Sequence, residues 1–283
     1  MVNTILEEAD LFCPNSVRIN FTIYLISTIT NDIKALLIVL GIPACFILLL
    51  TIINCKTKGI LASTFGFNSQ LYLGCIGIII HELSHLIMAI VFGHRVQSVR
   101  LLKMPNPNPI NGKDSDLSLG YVSHIWNQNS RYQVIGNLFI GVAPVFGCTG
   151  VLLGLMNVLA PNSYDAFLRL AETPNKATIL SSVNSLLMPI GWWQPLLLLV
   201  ITINIVIGGF DLSSADYRNS SMGLYTAIIL IVIIASLLTI AGFTGWLTTL
   251  LLWFGTLSVI LSYSLVLSII IMLVVLALNH LKG

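Results

Sequence analysis

The chain has 283 residues, of which 56% are hydrophobic and only 8% are charged, and its mean hydropathy is +0.94. Soluble domains carry about 25% charged residues, so this composition excludes a water-soluble globular domain and indicates an integral, multi-pass membrane protein. The net charge of +2 argues against a nucleic-acid partner, and the five scattered cysteines do not form the pattern of a disulfide framework.

Six apolar stretches approach or exceed the roughly 20 residues that a helix needs to cross a bilayer. In chain order they are 33–54, 71–92, 132–160, 193–210, 217–241 and 245–281. Gly41 and Pro43 interrupt the first stretch. The last is too long for one upright span, so we predict an interfacial turn or helix over 245–253 and then a span to about 278; a seventh span is the alternative. The mixed residues 161–190 predict a loop.

The polar stretch between the second and third spans contains two segments that favour extended structure. Residues 95–103 (RVQSVRLLK) and 117–124 (LSLGYVSH) flank a turn rich in proline, asparagine and glycine. This pattern is typical of a long β-hairpin, and a solvated loop is the alternative. The predicted fold is therefore an all-α polytopic membrane protein, a single transmembrane domain over 1–283. It has about six helices, with a membrane-associated β-hairpin between the second and third.

The second predicted span contains the segment His81-Glu82-Leu83-Ser84-His85. Side chains four residues apart share a helix face, so the two imidazoles are expected to converge. Zinc binds such a pair, and a glutamate after the first histidine can act as a general base. Ionisable groups inside a span cost about 2.5–3.5 kcal/mol each on insertion scales, and a divalent metal would offset that cost. The alternative is a proton relay or a hydrogen-bonded structural cluster.

A catalytic zinc site needs a third protein ligand and an open position. Asp211 and Asp216, in the segment GGFDLSSADYRNS between the fourth and fifth spans, are the candidates. The preceding Gly208-Gly209 pair predicts a backbone turn at membrane depth. Ser213 and Asp216 also have the spacing of a capping box, which is a second explanation for Asp216.

These features together resemble the site-2 proteases, a family of intramembrane zinc metalloproteases that cut transmembrane or membrane-adjacent segments of other proteins. The resemblance covers about residues 71–219, and it rests on the histidine motif, on Leu119-Gly120-Tyr121-Val122 and on the segment from Asn204 to Asp216. It implies a catalytic core over 71–219, with the N-terminal span 33–54 and the C-terminal spans 217–281 as scaffold. The expected location is the lipid bilayer of the cell membrane.

The resemblance also implies the roles of the residues. His81 and His85 would bind one Zn²⁺ per chain, Glu82 would activate water, and an aspartate would complete the site. The family usually has Asn-x-x-Pro followed by Leu-Asp-Gly, whereas here Ile207 takes the proline position and neither aspartate precedes a glycine. Asp211 better fits the spacing from the asparagine, but Asp216 better fits the start of the next helix and is favoured.

Four further residues are implied to bind the substrate, which would be another membrane protein. Gly120, Tyr121 and Val122 lie in an extended segment to which a substrate strand can add. Asn204 would bind the substrate backbone or the oxyanion, and hydrogen bonding between helices is the alternative for it. Two other function classes stay open: a zinc-binding membrane sensor or regulator without proteolytic activity, and a metal or proton transporter.

Overall fold

The computed structural model describes residues 15–106, 117–187, 191 and 193–282, most of which are helical. The α-helices in chain order are α1 (Asn15–Leu36), α2 (Ile42–Phe65), α3 (Asn68–Val91), α4 (Arg131–Leu159), α5 (Pro161–Glu172), α6 (Lys176–Leu187), α7 (Trp193–Gly209), α8 (Ser214–Ile240) and α9 (Trp246–Lys282). Strands β1 (Arg95–Arg100) and β2 (Tyr121–Ile125) lie between α3 and α4.

Five segments within the described residues are long and apolar enough to cross a membrane. They are Thr22–Phe65, Asn68–Val91, Arg131–Leu159, Ser214–Ile240 and Trp246–Lys282. The apolar helix α7 is shorter, with 17 residues. The predictions of a mostly helical fold and of a membrane protein with several spans are confirmed at this level.

The first span is longer than predicted. A π-helical turn over Leu37–Gly41 joins α1 to α2, so that the helix continues on both sides of 33–54. Pro43 lacks an N–H and its ring would clash with the carbonyl four residues earlier in a regular α-helix. Prolines and π-turns are both sites at which the regular hydrogen-bonding of an α-helix is interrupted, and here they are adjacent.

Two other predictions of local structure are wrong. Most of the predicted loop 161–190 is helical and forms α5 and α6, and its last residues, 188–190, lie outside the described residues. Helix α5 is amphipathic and buries Ser163, Ala166 and Phe167 on one face, at the helical spacing that the mixed composition obscured. The interfacial segment predicted over 245–253 is not separate from the following span either, because α9 is one helix of 37 residues that begins at Trp246. The turn lies earlier, at Gly242 and Gly245, whose positive φ values of 72° and 86° suit glycine.

Strands β1 and β2 form a two-stranded antiparallel sheet, as the two extended segments predict. The strands are shorter than expected, but the pairing continues beyond them because the Lys103 N–H donates to the Leu119 carbonyl at 2.7 Å. An irregularity between Val96 and Ser98 interrupts the register. The predicted turn of the hairpin falls in 107–116, outside the described residues.

Helices α3 and α7 cross in the centre of the bundle through glycines. A methyl group on Gly77 would lie 2.8 Å from the Gly209 nitrogen, and one on Gly74 would lie 2.9 Å from the Gly208 Cα. Gly208 and Gly209 therefore do not form the predicted turn: both are helical, and their missing side chains let the two backbones touch. This crossing brings the end of α7 next to the histidine motif.

Candidate metal centre

Three buried side chains meet between α3 and α8. His81 and His85 lie one turn apart on α3, and their Nε2 atoms are 3.1 Å from each other. Asp216, in the first turn of α8, places Oδ1 3.1 Å from His85 Nε2 and Oδ2 3.7 Å from His81 Nε2. Zinc bonds of about 2.0–2.1 Å in a tetrahedral site would put the ligand atoms about 3.3 Å apart, so the observed spacing suits a metal of that size.

The histidine tautomers follow from their partners. His81 Nδ1 lies 3.0 Å from the Gly209 carbonyl, and His85 Nδ1 lies 2.7 Å from the Ile140 carbonyl. Because a carbonyl oxygen only accepts, each Nδ1 carries a hydrogen, and in the neutral imidazole Nε2 then presents a lone pair. Two lone pairs and a carboxylate thus face one another across about 3 Å, an arrangement that a cation stabilises. A carbonyl that orients a ligating histidine is common in metal sites.

Asp216 also caps its own helix. The Ser213 N–H donates to Asp216 Oδ2 at 2.7 Å, and the Asp216 N–H donates to the Ser213 hydroxyl at 3.2 Å, which completes a capping box. The cap fixes the carboxylate in the orientation that faces the histidines. Helix α4 approaches closely here, since a methyl group on Gly141 would lie 2.6 Å from the Asp216 carbonyl oxygen. The capping explanation and the ligand explanation are therefore compatible.

The other candidate aspartate has a different partner. Both oxygens of Asp211 accept from Lys58 Nζ at 2.8 Å. Among the described residues, the group that can hold a metal ion contains His81, His85 and Asp216, and Asp211 is not a member. The structure thus separates two aspartates whose positions in the sequence left both possible.

Glu82 lies beside the group formed by His81, His85 and Asp216, and the backbone just before β2 covers it. The residue is buried, with 9% of its surface exposed. A methyl group on Gly120 would lie 2.7 Å from Glu82 Cγ and 3.0 Å from Oε1. The backbone just before β2 therefore packs directly on the glutamate. The next two predicted residues, Tyr121 and Val122, pair with Arg100 and Val99 of β1.

Asn204 lies between helices. Its Oδ1 accepts from the Ile76 N–H of α3 at 2.7 Å, and its amide nitrogen lies 3.9 Å from Cys75 Sγ. This is the arrangement expected from the structural alternative, in which the asparagine joins α7 to α3.

A second pair of histidines lies near the base of the sheet. His94 Nε2 donates to the Gln133 carbonyl at 2.9 Å, and His94 Nδ1 lies 3.0 Å from His124 Nδ1. Burial lowers the pKa of both residues, and it lowers the pKa of His124 to about 4 with a smaller contribution from neighbouring histidines. The pair joins β2 to the end of α3 and the start of α4. Thirty residues separate the two histidines, and no sequence signal relates them.

No family model, curated protein or solved structure matches the chain. Arguments about function therefore depend on the chemistry of the site.

Proposed function

We propose that the chain is an intramembrane zinc metalloprotease, which hydrolyses peptide bonds in or near transmembrane segments of other membrane proteins. The observation that supports this most is the convergence of His81, His85 and Asp216 beside Glu82 inside a bundle of apolar helices. We take α7 as a sixth span and place the protein in the cell membrane. The resemblance to site-2 proteases implies the same activity.

The donor set suits zinc. Two imidazoles and one carboxylate are the ligands of a well-known class of catalytic zinc sites, which keep a fourth position open. Magnesium and calcium prefer sites made of oxygen ligands alone. Zinc held there would supply Lewis acidity toward a carbonyl oxygen and toward water.

The protein's own residues supply the remaining functions. Glu82 is one residue from His81 and is the carboxylate that the motif places to accept a proton from water and donate it to the leaving amine. The backbone at Gly120 limits the space over Glu82. In the described part of the chain β2 has a strand partner on one side, β1, so its other edge can bind an extended substrate by strand addition.

One observation favours the alternative, a zinc-binding sensor or regulator without proteolysis. The residues His81, Glu82, His85 and Asp216 are all buried, and each is less than 10% exposed. Zinc held in a closed site can stabilise a conformation without any turnover. The two functions differ in whether Glu82 is needed, because the metal is bound without it.

The test compares the wild type with Glu82→Gln in living cells, by mapping the membrane-protein fragments that each produces. Removal of a positioned general base lowers rates by about 10²–10⁴-fold. We expect at least one membrane protein to be cut by the wild type and intact in the variant, while the zinc content of the two purified proteins stays equal. Identical fragment maps at equal zinc content would favour the sensor.

A further inference from the structure

Helix α2 carries a row of polar side chains along one face of a mostly apolar span. Thr51, Asn54 and Lys58 have the spacing i, i+3 and i+7, which places them on one face of the helix. This face contacts the end of α7 and the segment that leads to α8. We call residues 209–216 the aspartate corner.

Each member of the row makes a hydrogen bond at or beside the corner. The Asn54 amide donates to the Val206 carbonyl at 3.0 Å, and this contact is buried. The Thr51 hydroxyl accepts from the Leu212 N–H at 3.3 Å and from the Tyr217 hydroxyl at 3.1 Å.

The Lys58 contact is the strongest of the set, since both oxygens of Asp211 accept from its ammonium group at 2.8 Å. The two side chains are 13% and 16% exposed. Ionisable groups at such positions in a membrane protein are costly and are usually associated with function.

The aspartate corner carries two elements of the metal centre. At its start, the Gly209 carbonyl accepts from His81 Nδ1. At its end, Asp216 faces both histidines. Asp211 lies between these two elements. A shift of the corner would therefore move an orienting carbonyl and a ligand together.

Simple helix packing does not explain this partly buried ion pair. Apolar side chains of similar volume hold helices together at least as well as a buried lysine and aspartate. What the polar contacts add is a defined position of the corner backbone, because hydrogen bonds and ion pairs are directional.

We propose that Lys58, with Thr51 and Asn54, forms a set of positioning residues that holds the aspartate corner in the geometry required for metal binding. This inference rests on the proposed metal site and extends it to a helix that the sequence assigns to the scaffold. The first helical span would thereby determine the zinc affinity without contacting the ion.

The test measures Zn²⁺ affinity by chelator competition, together with the thermal stability of the same purified full-length samples. The double variant Lys58→Met and Asp211→Leu removes both charges and retains the bulk. Loss of an outer contact in a metal site typically lowers affinity about 10–100-fold. We expect the Zn²⁺ affinity of the double variant to fall by a factor in this range, with a melting temperature close to that of the wild type. The single variant Lys58→Arg keeps a positive charge, and we expect it to retain most of the wild-type affinity.

Controls on the same helix separate positioning from general effects. Lys56→Met removes an exposed lysine two residues away, and we expect wild-type affinity. Thr51→Val removes a hydroxyl of the polar row and leaves the ion pair intact. It therefore tests the positioning role even if the double variant does not fold. Its control is Thr57→Val, because the Thr57 hydroxyl donates only within its own helix, to the Ile53 carbonyl.

The outcomes distinguish this inference from the function on which it rests. Zinc binding by the wild type that is lost in His81→Ala supports the metal site. With that established, affinities of the double variant and of Thr51→Val equal to those of their controls would overturn the positioning role alone. A wild type that binds no zinc would overturn both.

Discussion

Gly120 offers a sharp test of the arrangement over Glu82. The residue has no positive φ, so alanine fits its backbone conformation and the substitution changes only the occupied space. The added methyl group would lie 2.7 Å from Glu82 Cγ, 3.0 Å from Oε1 and 3.1 Å from the Arg100 carbonyl oxygen. It would therefore contact the glutamate and β1 at once.

The size of the effect follows from these distances. Non-bonded carbon atoms prefer separations of about 3.5–4.0 Å, so the strand or the glutamate must move by about 1 Å. A misplacement of about 1 Å at a catalytic site can cost about 10²-fold in rate. The metal ligands lie outside this contact. We expect Gly120→Ala to lower cleavage by about 10²-fold and to leave the zinc content unchanged.

The assay measures cleavage of one membrane-protein substrate and zinc content in the same preparations. Gly150→Ala is the matched control, because a methyl group there would have no neighbour within 4 Å. Cleavage by Gly120→Ala at the rate of this control would refute the packing of β2 on Glu82. A loss of zinc along with activity would show that the clash reaches the ligands.

Three other predictions follow from the described contacts. Asp216→Asn should weaken zinc binding, measured by chelator competition, by more than the roughly 10–100-fold typical of outer contacts, and Asp211→Asn should weaken it less. Burial lowers the pKa of His124 to about 4 in the folded protein, whereas the pKa of a histidine in the unfolded chain is about 6.5. Between these two pH values the unfolded chain therefore binds more protons than the folded chain. Thermal stability should therefore fall as pH drops from about 6.5 toward 4, and His124→Gln should flatten that profile. Gly77→Ala should destabilise the α3–α7 crossing by about 1–3 kcal/mol through overpacking, whereas Gly59→Ala, with no neighbour within 4 Å, should not.

The sequence predicts the structure where a strong local pattern determines it, although the weaker pattern of α5 was obscured by its mixed composition. The apolar runs correspond to long helices, and the spacing of His81 and His85 places both rings on one face. The two extended segments pair as strands because their alternation and the turn residues between them are local signals. The role of Glu82 remains a prediction, because no comparison bears on it.

Long-range contacts could not be predicted in the same way. Lys58 and Asp211 are 153 positions apart in the sequence. Their ion pair, which distinguishes Asp211 from Asp216, forms only because α2 packs on the aspartate corner. The sequence predicts a turn at Gly208 and Gly209, but glycine permits both turns and close helix crossings. Only the position of Gly74 and Gly77 opposite them decides between the two.

The claim on which all the others depend is that His81, His85 and Asp216 hold zinc. X-ray absorption at the zinc edge of the purified protein tests it most directly, with the variant His81→Ala/His85→Ala as control. We predict about one zinc per chain, bound by two imidazole nitrogens and by oxygen at about 2.0–2.1 Å, and loss of this signal in the control. Sulfur ligands, or a zinc spectrum that survives unchanged in the double variant, would contradict the account.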